Sequence, residues 1–344
     1  MLKKWFLILL VLGASFSALA LDDETLASGL NNPRHITFGP DGVLYIAEAG
    51  SGGETDVAGP FGPAKAGLSA QVSTILPDGT PAVIVPELVS MDVGFGQIEG
   101  PMAVLVTEET YWVVLGQGPR DDSFEGAVVE AVVELDRETL ETRRVIDLRA
   151  FEEENNPDQA DEVVANPADL AAAPDGTLYI ADASANAVLR WTAAGGLELF
   201  AAWPVSDDAP SAVPTSVAVG PDGDLYVGFL SGFPFPAGGA RIERYNAEGE
   251  LQQTYGGLTL VTDVLVTADG ALYAVELASG FGDAGYNPNS GRVVRAADGG
   301  LEVIAEGLNF PYGLAMDTEG SLYVTVDSAF AAPDSGRVIR LGGR

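Results

Sequence analysis

Short apolar runs along this chain alternate with small or polar residues at period two, and the runs come in pairs joined by one kind of turn. The stretch VPTSVAVGPDGDLYVGF (213–229) is one such pair. Val217 and Val219 flank Ala218 before the turn, and Leu225, Tyr226 and Val227 return after it. Pro221-Asp222-Gly223 is the turn: proline presets φ, aspartate bonds nearby backbone, and glycine accepts positive φ. Related stretches run NPRHITFGPDGVLYIAE (32–48), GPMAVLVTEETYWVVL (100–115), NPADLAAAPDGTLYIAD (166–182), VTDVLVTADGALYAVE (261–276) and FPYGLAMDTEGSLYVTV (310–326). The turn glycine recurs at Gly42, Gly176, Gly223, Gly270 and Gly320, with Glu109 in its place in the second copy. A third strand follows several copies, as in AVLRW (187–191), ARIERY (240–245), GRVVRA (291–296) and GRVIRL (336–341), and LEVIAEGL (301–308) is a fourth.

Four strands per unit and six units predict an all-β, six-bladed β-propeller. The two ends support a closed ring over an open solenoid. ETLASGL (24–30) mimics EVIAEGL (302–308), a fourth strand with no blade before it, and GRVIRL is a third strand with no fourth after it. The N-terminal strand is therefore expected to complete the last blade, which removes an exposed sheet edge.

Against this repeat, two positions vary in chemistry, and both are expected on the rim where strand one begins and strand two ends. The first is His35, Ala103, Asp169, Ser216, Asp263 and Gly313; the second is Glu48, Leu115, Asp182, Phe229, Glu276 and Val326. His35/Glu48, Asp169/Asp182 and Asp263/Glu276 each lie 13 positions apart, on alternate blades. The ligand candidates are thus His35, Glu48, Asp169, Asp182, Ser216, Phe229, Asp263 and Glu276. Asp169 and Asp263, starting innermost strands, are the candidate metal ligands, since carboxylates suit calcium or another divalent cation. Crowded carboxylates repel unless a cation sits among them. The alternative for Glu48, Asp182 and Glu276 is that they cap backbone N–H groups at the strand-two end. His35, the only histidine, is a candidate base or ligand with no nucleophile signature around it.

Charge narrows the partners. The chain has 344 residues, 17 Lys+Arg against 50 Asp+Glu, and a formal net charge of -33. Nucleic acid and anionic membrane surfaces would be repelled. With no cysteine there is no disulfide, thiolate metal site or lipoprotein anchor. MLKKWFLILLVLGASFSALA (1–20) has a basic start, an apolar run and an Ala18-Leu19-Ala20 cleavage site. It reads as a signal peptide, leaving 21–344 as the propeller domain in a secreted or periplasmic protein that keeps no membrane contact after cleavage.

Four segments break the repeat: Gly/Pro-rich 50–70, GQGPRDDSFEG (116–126), the acidic crossing DLRAFEEENNPDQADEVVANP (147–167) and SGFPFPAGGAR (231–241). The first two follow strand-two ends and are expected as loops over the site rim. ENNPD within the third has no explanation as a turn alone. The Phe-Pro loop is open between lining a pocket and covering a blade.

NNPD (155–158), NP (166–167), VPTSVAVGPDGDLYVG (213–228) and GFPFPAGGAR (232–241) together resemble the ScyD/ScyE family of exported propeller proteins. The likeness runs through the whole mature chain in order. It implies an extracytoplasmic role around a small molecule, since the family is named for clusters that make the pigment scytonemin. Phe229 stands where the family carries an acid, and no catalytic residue is carried over. More distantly, the architecture looks like the NHL and regucalcin/lactonase propellers. The expected function is small-molecule binding or accessory work at the channel rim. The alternatives are a metal-dependent hydrolase or lactonase of the regucalcin type, using Asp169, Asp263 and His35, and a protein-interaction propeller.

Overall fold

The computed structural model describes residues 23–120, 124, 127–297 and 300–342. The leader expected at 1–20 and part of the 116–126 loop lie outside them. Six antiparallel sheets surround one axis as blades. Their innermost strands are Pro33–Phe38, Pro101–Val106, Pro167–Ala172, Pro214–Val219, Val261–Val266 and Leu314–Met316. The second strands are Leu44–Glu48, Thr110–Leu115, Leu178–Asp182, Leu225–Phe229, Leu272–Glu276 and Leu322–Val326. The turn glycines between them have φ of +73 to +87°, the region only glycine enters without strain. In the first of these turns the Asp41 carboxylate accepts from Val43 N–H at 3.1 Å, which fixes its shape.

The ring closes as the termini predict. Strand β1, Glu24–Leu30, pairs antiparallel with Gly336–Leu341, from Glu24 opposite Arg340 to Leu30 opposite Gly336. Asn31 and Asp334 lock its end through reciprocal bonds of 2.8 and 2.9 Å. The core is a set of apolar layers between neighbouring blades rather than one central mass. Leu30, Ile36, Ile46, Tyr323 and Val338 form the layer between the sixth blade and the first, so closure is sealed by burial as well as by hydrogen bonds.

Two of the irregular segments are more regular than the sequence suggests. Residues 50–70 are not a loop: Thr55–Gly59 pairs with the start of the 14-residue strand Gly62–Ile75 and extends the first blade into a hairpin with Phe61 at its tip. Gly59, Pro60, Gly62 and Pro63, half of the glycines and prolines that argued for a loop, sit at that hairpin's turn. The crossing at 147–167 contains helix α1, Leu148–Asn155. Asp147 caps it by accepting from Ala150 N–H, and Asn156 ends it in the left-handed region.

Candidate functional site

One extra residue at the start of each innermost strand creates the site. Pro33 pairs with Glu48 but Ile36 with Ile46, and Pro167 pairs with Asp182 but Asp169 with Ala181; the same bulge occurs at Met102, Thr215 and Thr262. In the sixth blade Tyr312 N–H donates to the Thr325 carbonyl, while Thr325 N–H donates to the Gly313 carbonyl. A bulge re-aims side chains. Here two consecutive residues per blade reach the axis, where a regular strand would offer one. They form two stacked rings: Arg34, Met102, Ala168, Thr215, Thr262 and Tyr312 line an upper cavity, and of the six residues that follow them His35, Ala103, Asp169 and Asp263 line a lower channel.

The lower ring holds His35, Asp169, Ser216 and Asp263, all buried. His35 Nδ1 lies 3.4 Å from Asp263 Oδ2 and 3.7 Å from Asp169 Oδ1. Ser216 Oγ lies 2.8 Å from Asp169 Oδ2 and 2.9 Å from Asp263 Oδ1. The ring also stitches the blades together. Asp169 accepts from Val217 N–H on the next blade, Ser216 Oγ from Val264 N–H, and Asp263 from Leu314 N–H. Gly313 completes the circle because a Cβ there would sit 2.5 Å from the Arg34 carbonyl oxygen and 2.6 Å from His35 Cα.

Ser216 carries a single hydroxyl hydrogen, yet it makes close oxygen contacts to two carboxylates. One of those contacts needs a second hydrogen, or a cation in its stead. Both Asp169 oxygens already accept backbone N–H groups, from Leu170 and Val217. Asp263 Oδ1 accepts no backbone N–H among the described hydrogen bonds. Burial, joined by the charge of Asp263 and opposed by that of His35, pushes the Asp169 carboxyl up to about 6. Burial alone would lower the His35 imidazole; the charges of Asp169 and Asp263 outweigh it and raise it to about 9. His35, Asp169 and Asp263 each bring a ligand atom within 4.8 Å of the others, so the group has the donors and the spacing to hold a metal ion. The ion would have to displace the protons that now hold the ring together.

The second column does not reach the axis. Glu48, Asp182 and Glu276 are each 1% exposed and line neither axial cavity. Glu48 Oε2 accepts from Asn31 N–H at 2.7 Å, Asp182 Oδ1 from Asn166 N–H at 2.7 Å, and Glu276 Oε1 from Thr259 N–H. They tie the end of strand two to the chain entering strand one, which is the capping role. Burial, against these N–H bonds, pushes the Asp182 carboxyl up to about 7. Phe229 is fully buried between blades, edge-on to Trp203 at 4.7 Å and under Arg241 at 4.0 Å. It is a packing residue, not a rim ligand.

The upper cavity, of about 310 Å³, is the feature the sequence reading missed. Arg34 stands in its floor, 4% exposed. Its Nη1 and Nη2 donate to the carbonyls of Ser328 and Ile98, and its Nε has no partner. Its guanidinium lies 5.0 Å from the Tyr312 ring centre, and Tyr312 also meets the His35 ring edge-on at 5.4 Å. Burial lowers the Arg34 guanidinium, with the opposing influence of Tyr312 and Glu99. Burial raises Glu99, which accepts from Gln97 Nε2 at 2.6 Å. Phe61, Phe235, Tyr286 and Phe330 wall the cavity. The Phe-Pro loop thus lines a pocket through Phe235, while Phe233 is 73% exposed beside it. Phe235 and Phe281 stack edge-on at 5.2 Å, and Tyr286 meets Phe330 at 4.9 Å.

No family model matches the chain, and no curated protein does. Solved structures do. Virginiamycin B lyase from Staphylococcus aureus superposes at a TM-score of 0.54 and 14% identity, over 94% of this chain and 99% of that one. A putative oxidoreductase (glucose dehydrogenase) from Thermus thermophilus gives 0.56 and 16%, over 93% and 99%. A gluconolactonase from Xanthomonas campestris gives 0.56 and 13%, over 92% and 88%. At such identities the likeness is one of fold, and the chain shares its β-propeller architecture with these proteins.

Proposed function

We propose that this chain is an exported small-molecule-binding propeller of the ScyD/ScyE kind, serving as an accessory protein in extracytoplasmic metabolism, with its ligand in the upper axial cavity. The observation that carries the reading is Arg34: a buried guanidinium, held by two backbone carbonyls, that lines an aromatic-walled cavity. Aromatic walls offer stacking area at small entropic cost, and a desolvated guanidinium rewards a carboxylate, enolate or carbonyl oxygen. The favoured ligand class is a flat, unsaturated molecule with one such oxygen. The net charge of -33 keeps polyanions out. Titration with 2-naphthoate and its neutral counterpart 2-naphthylmethanol tests this, read by tyrosine and tryptophan fluorescence. Naphthoate is expected to bind at least about tenfold tighter, an advantage lost in Arg34→Lys, which cannot present the same planar donors. Equal binding of both probes overturns the assignment of Arg34.

A metal-dependent hydrolase of the regucalcin type is the second reading, favoured by the spacing of His35, Asp169 and Asp263. Calcium or another divalent cation would be its cofactor. An imidazole nitrogen among the donors points more to a transition metal than to calcium. Hydrolysis of glucono-lactone that depends on added metal and disappears in Asp169→Asn supports it; a metal-independent blank overturns it.

A further inference from the structure

A second polar cluster lies off the axis, where the chain crosses from the second blade to the third. Asn156 ends α1 with φ of 39° and donates its backbone N–H to the Glu152 carbonyl at 2.8 Å. Glu152 is 2% exposed, and neither of its carboxylate oxygens has a hydrogen-bond partner. The side-chain oxygen of Asn156, one helical turn on, is buried and unpartnered too. The charges that act on Glu152 are those of Asp182 and Asp158, both 1% exposed.

The nearby donors are already spent. Asn186 Nδ2 donates to Asp158 Oδ2 at 2.7 Å, and Ala160 N–H to Asp158 Oδ1 at 3.0 Å. Asn156 Nδ2 donates to the Ala160 carbonyl. Arg149, on the same helix, turns to Glu130 instead. Three orphaned oxygens therefore lie on one crossing, in the field of two further carboxylates, with no donor to them among the described hydrogen bonds. A buried carboxylate in that position is costly unless something positive joins it.

We propose that this crossing is a binding site for a hard divalent cation of the calcium type, held by Glu152, Asn156 and Asp158, with Asp182 adding charge from behind. The donor set is oxygen only, which selects hard cations over transition metals. Glu152 has both oxygens free, as bidentate ligation needs, and the amide of Asn156 offers a neutral oxygen beside it. ENNPD (154–158), unexplained as a turn, then supplies two of the ligands, Asn156 and Asp158. The ion would peg the end of α1 to the third blade. Asn166 and Ala168, at the end of the same crossing, line the upper cavity, so the ion would brace one of its walls. The inference does not depend on which ligand that cavity takes.

Full-length mature protein is stripped with EGTA and gel-filtered with or without calcium chloride. Bound calcium is measured by emission spectroscopy and stability by thermal melting. Wild type is expected to hold one calcium per chain and to melt about 5 °C higher with calcium at a hundred times its Kd. Glu152→Gln should lose the ion and the shift. Asn156→Gly keeps the left-handed backbone and removes the side-chain amide, both its oxygen and its bond to the Ala160 carbonyl; it should still fold and weaken calcium at least about tenfold. Asp169→Asn/Asp263→Asn, at the axis, should retain the ion. Calcium-free wild type with an unmoved melt overturns the site, as a protonated Glu152 would then suffice. Calcium that survives Glu152→Gln and Asn156→Gly but leaves with the axial double variant overturns it as well.

Discussion

Arg34 and His35 are adjacent in the chain and belong to different compartments. Arg34 lines the upper cavity, whose walls come from the segments that break the repeat: Phe61 from the first-blade hairpin, Phe235 from the Phe-Pro loop, Phe330 from the last connection. His35 lines the lower channel, whose walls are the repeat itself, strand after strand. The acids and serine of the lower ring satisfy one another and the N–H groups of the next blade, leaving His35 Nε2 as its unpartnered atom. The upper cavity offers instead a guanidinium held by two backbone carbonyls among the described hydrogen bonds. A repeated column that satisfies itself is a structural device first; an irregular cavity with a spare charge is where a ligand gains most.

The largest expected effect breaks both compartments together. Tyr312 and Gly313 of the sixth blade stand in both rings, and that blade is held to the first by β1. Removing residues 21–30 strips Leu30 and Leu26 from the closing layer and bares the edge of Gly336–Leu341. Melting is expected to fall by more than about 10 °C, with aggregation, and naphthoate binding to vanish. A deletion variant that melts like the intact chain would mean that the ring is held elsewhere, and the two rings would have to be explained without closure.

A smaller effect separates the two axial aspartates, which look alike in sequence. Both Asp169 oxygens accept backbone N–H groups, so an amide in its place must set its own NH₂ against one of them. Asp169→Asn should cost about 2 kcal/mol in urea unfolding. Asp263→Asn can place its oxygen on Leu314 N–H and its NH₂ on Ser216 Oγ, supplying the hydrogen that the pair lacks. It should cost less than about 0.5 kcal/mol. Neither change should alter naphthoate binding by more than about twofold, because both residues face the lower channel. If the two variants cost the same, the backbone N–H bonds do not set the two aspartates apart.

The ring, the blade number, the closing strand and the alternate-blade set His35, Asp169 and Asp263 were legible because the repeat is written in period-two runs and turn glycines. The upper ring was not, for a specific reason. Counting alternate residues assigns one side chain per strand to the axis, and the bulge adds a second. Arg34 therefore read as an ordinary neighbour of His35. Glu48, Asp182 and Glu276 were readable either as rim acids or as caps, and only the position of Asn31, Asn166 and Thr259 N–H decides between those. Phe61 was hidden by composition: glycine and proline signal a loop, and here they turn a hairpin. Glu152 was visible as one acid in an acidic run, which is commonly a solvated face; its burial under α1 comes from tertiary packing.

The smallest expected effect concerns charge in the lower ring. His35 is raised to about 9 from an ordinary 6.5, because the aspartate charges outweigh burial. A group that binds its proton more tightly when folded adds stability below its unfolded pKa and loses it as pH rises through its folded pKa. The contribution of His35 is therefore full below about pH 6.5 and gone above about pH 9. Other groups titrate too, so the useful quantity is the difference in unfolding free energy between wild type and His35→Gln, followed from about pH 6 to about pH 9.5. That difference should shrink across the window with a slope approaching one proton and then level off. Parallel curves would mean that the folded protein holds a neutral imidazole. Nδ1 would then be free to ligate, and the lower ring would become a metal site in waiting rather than a set of groups closed on themselves.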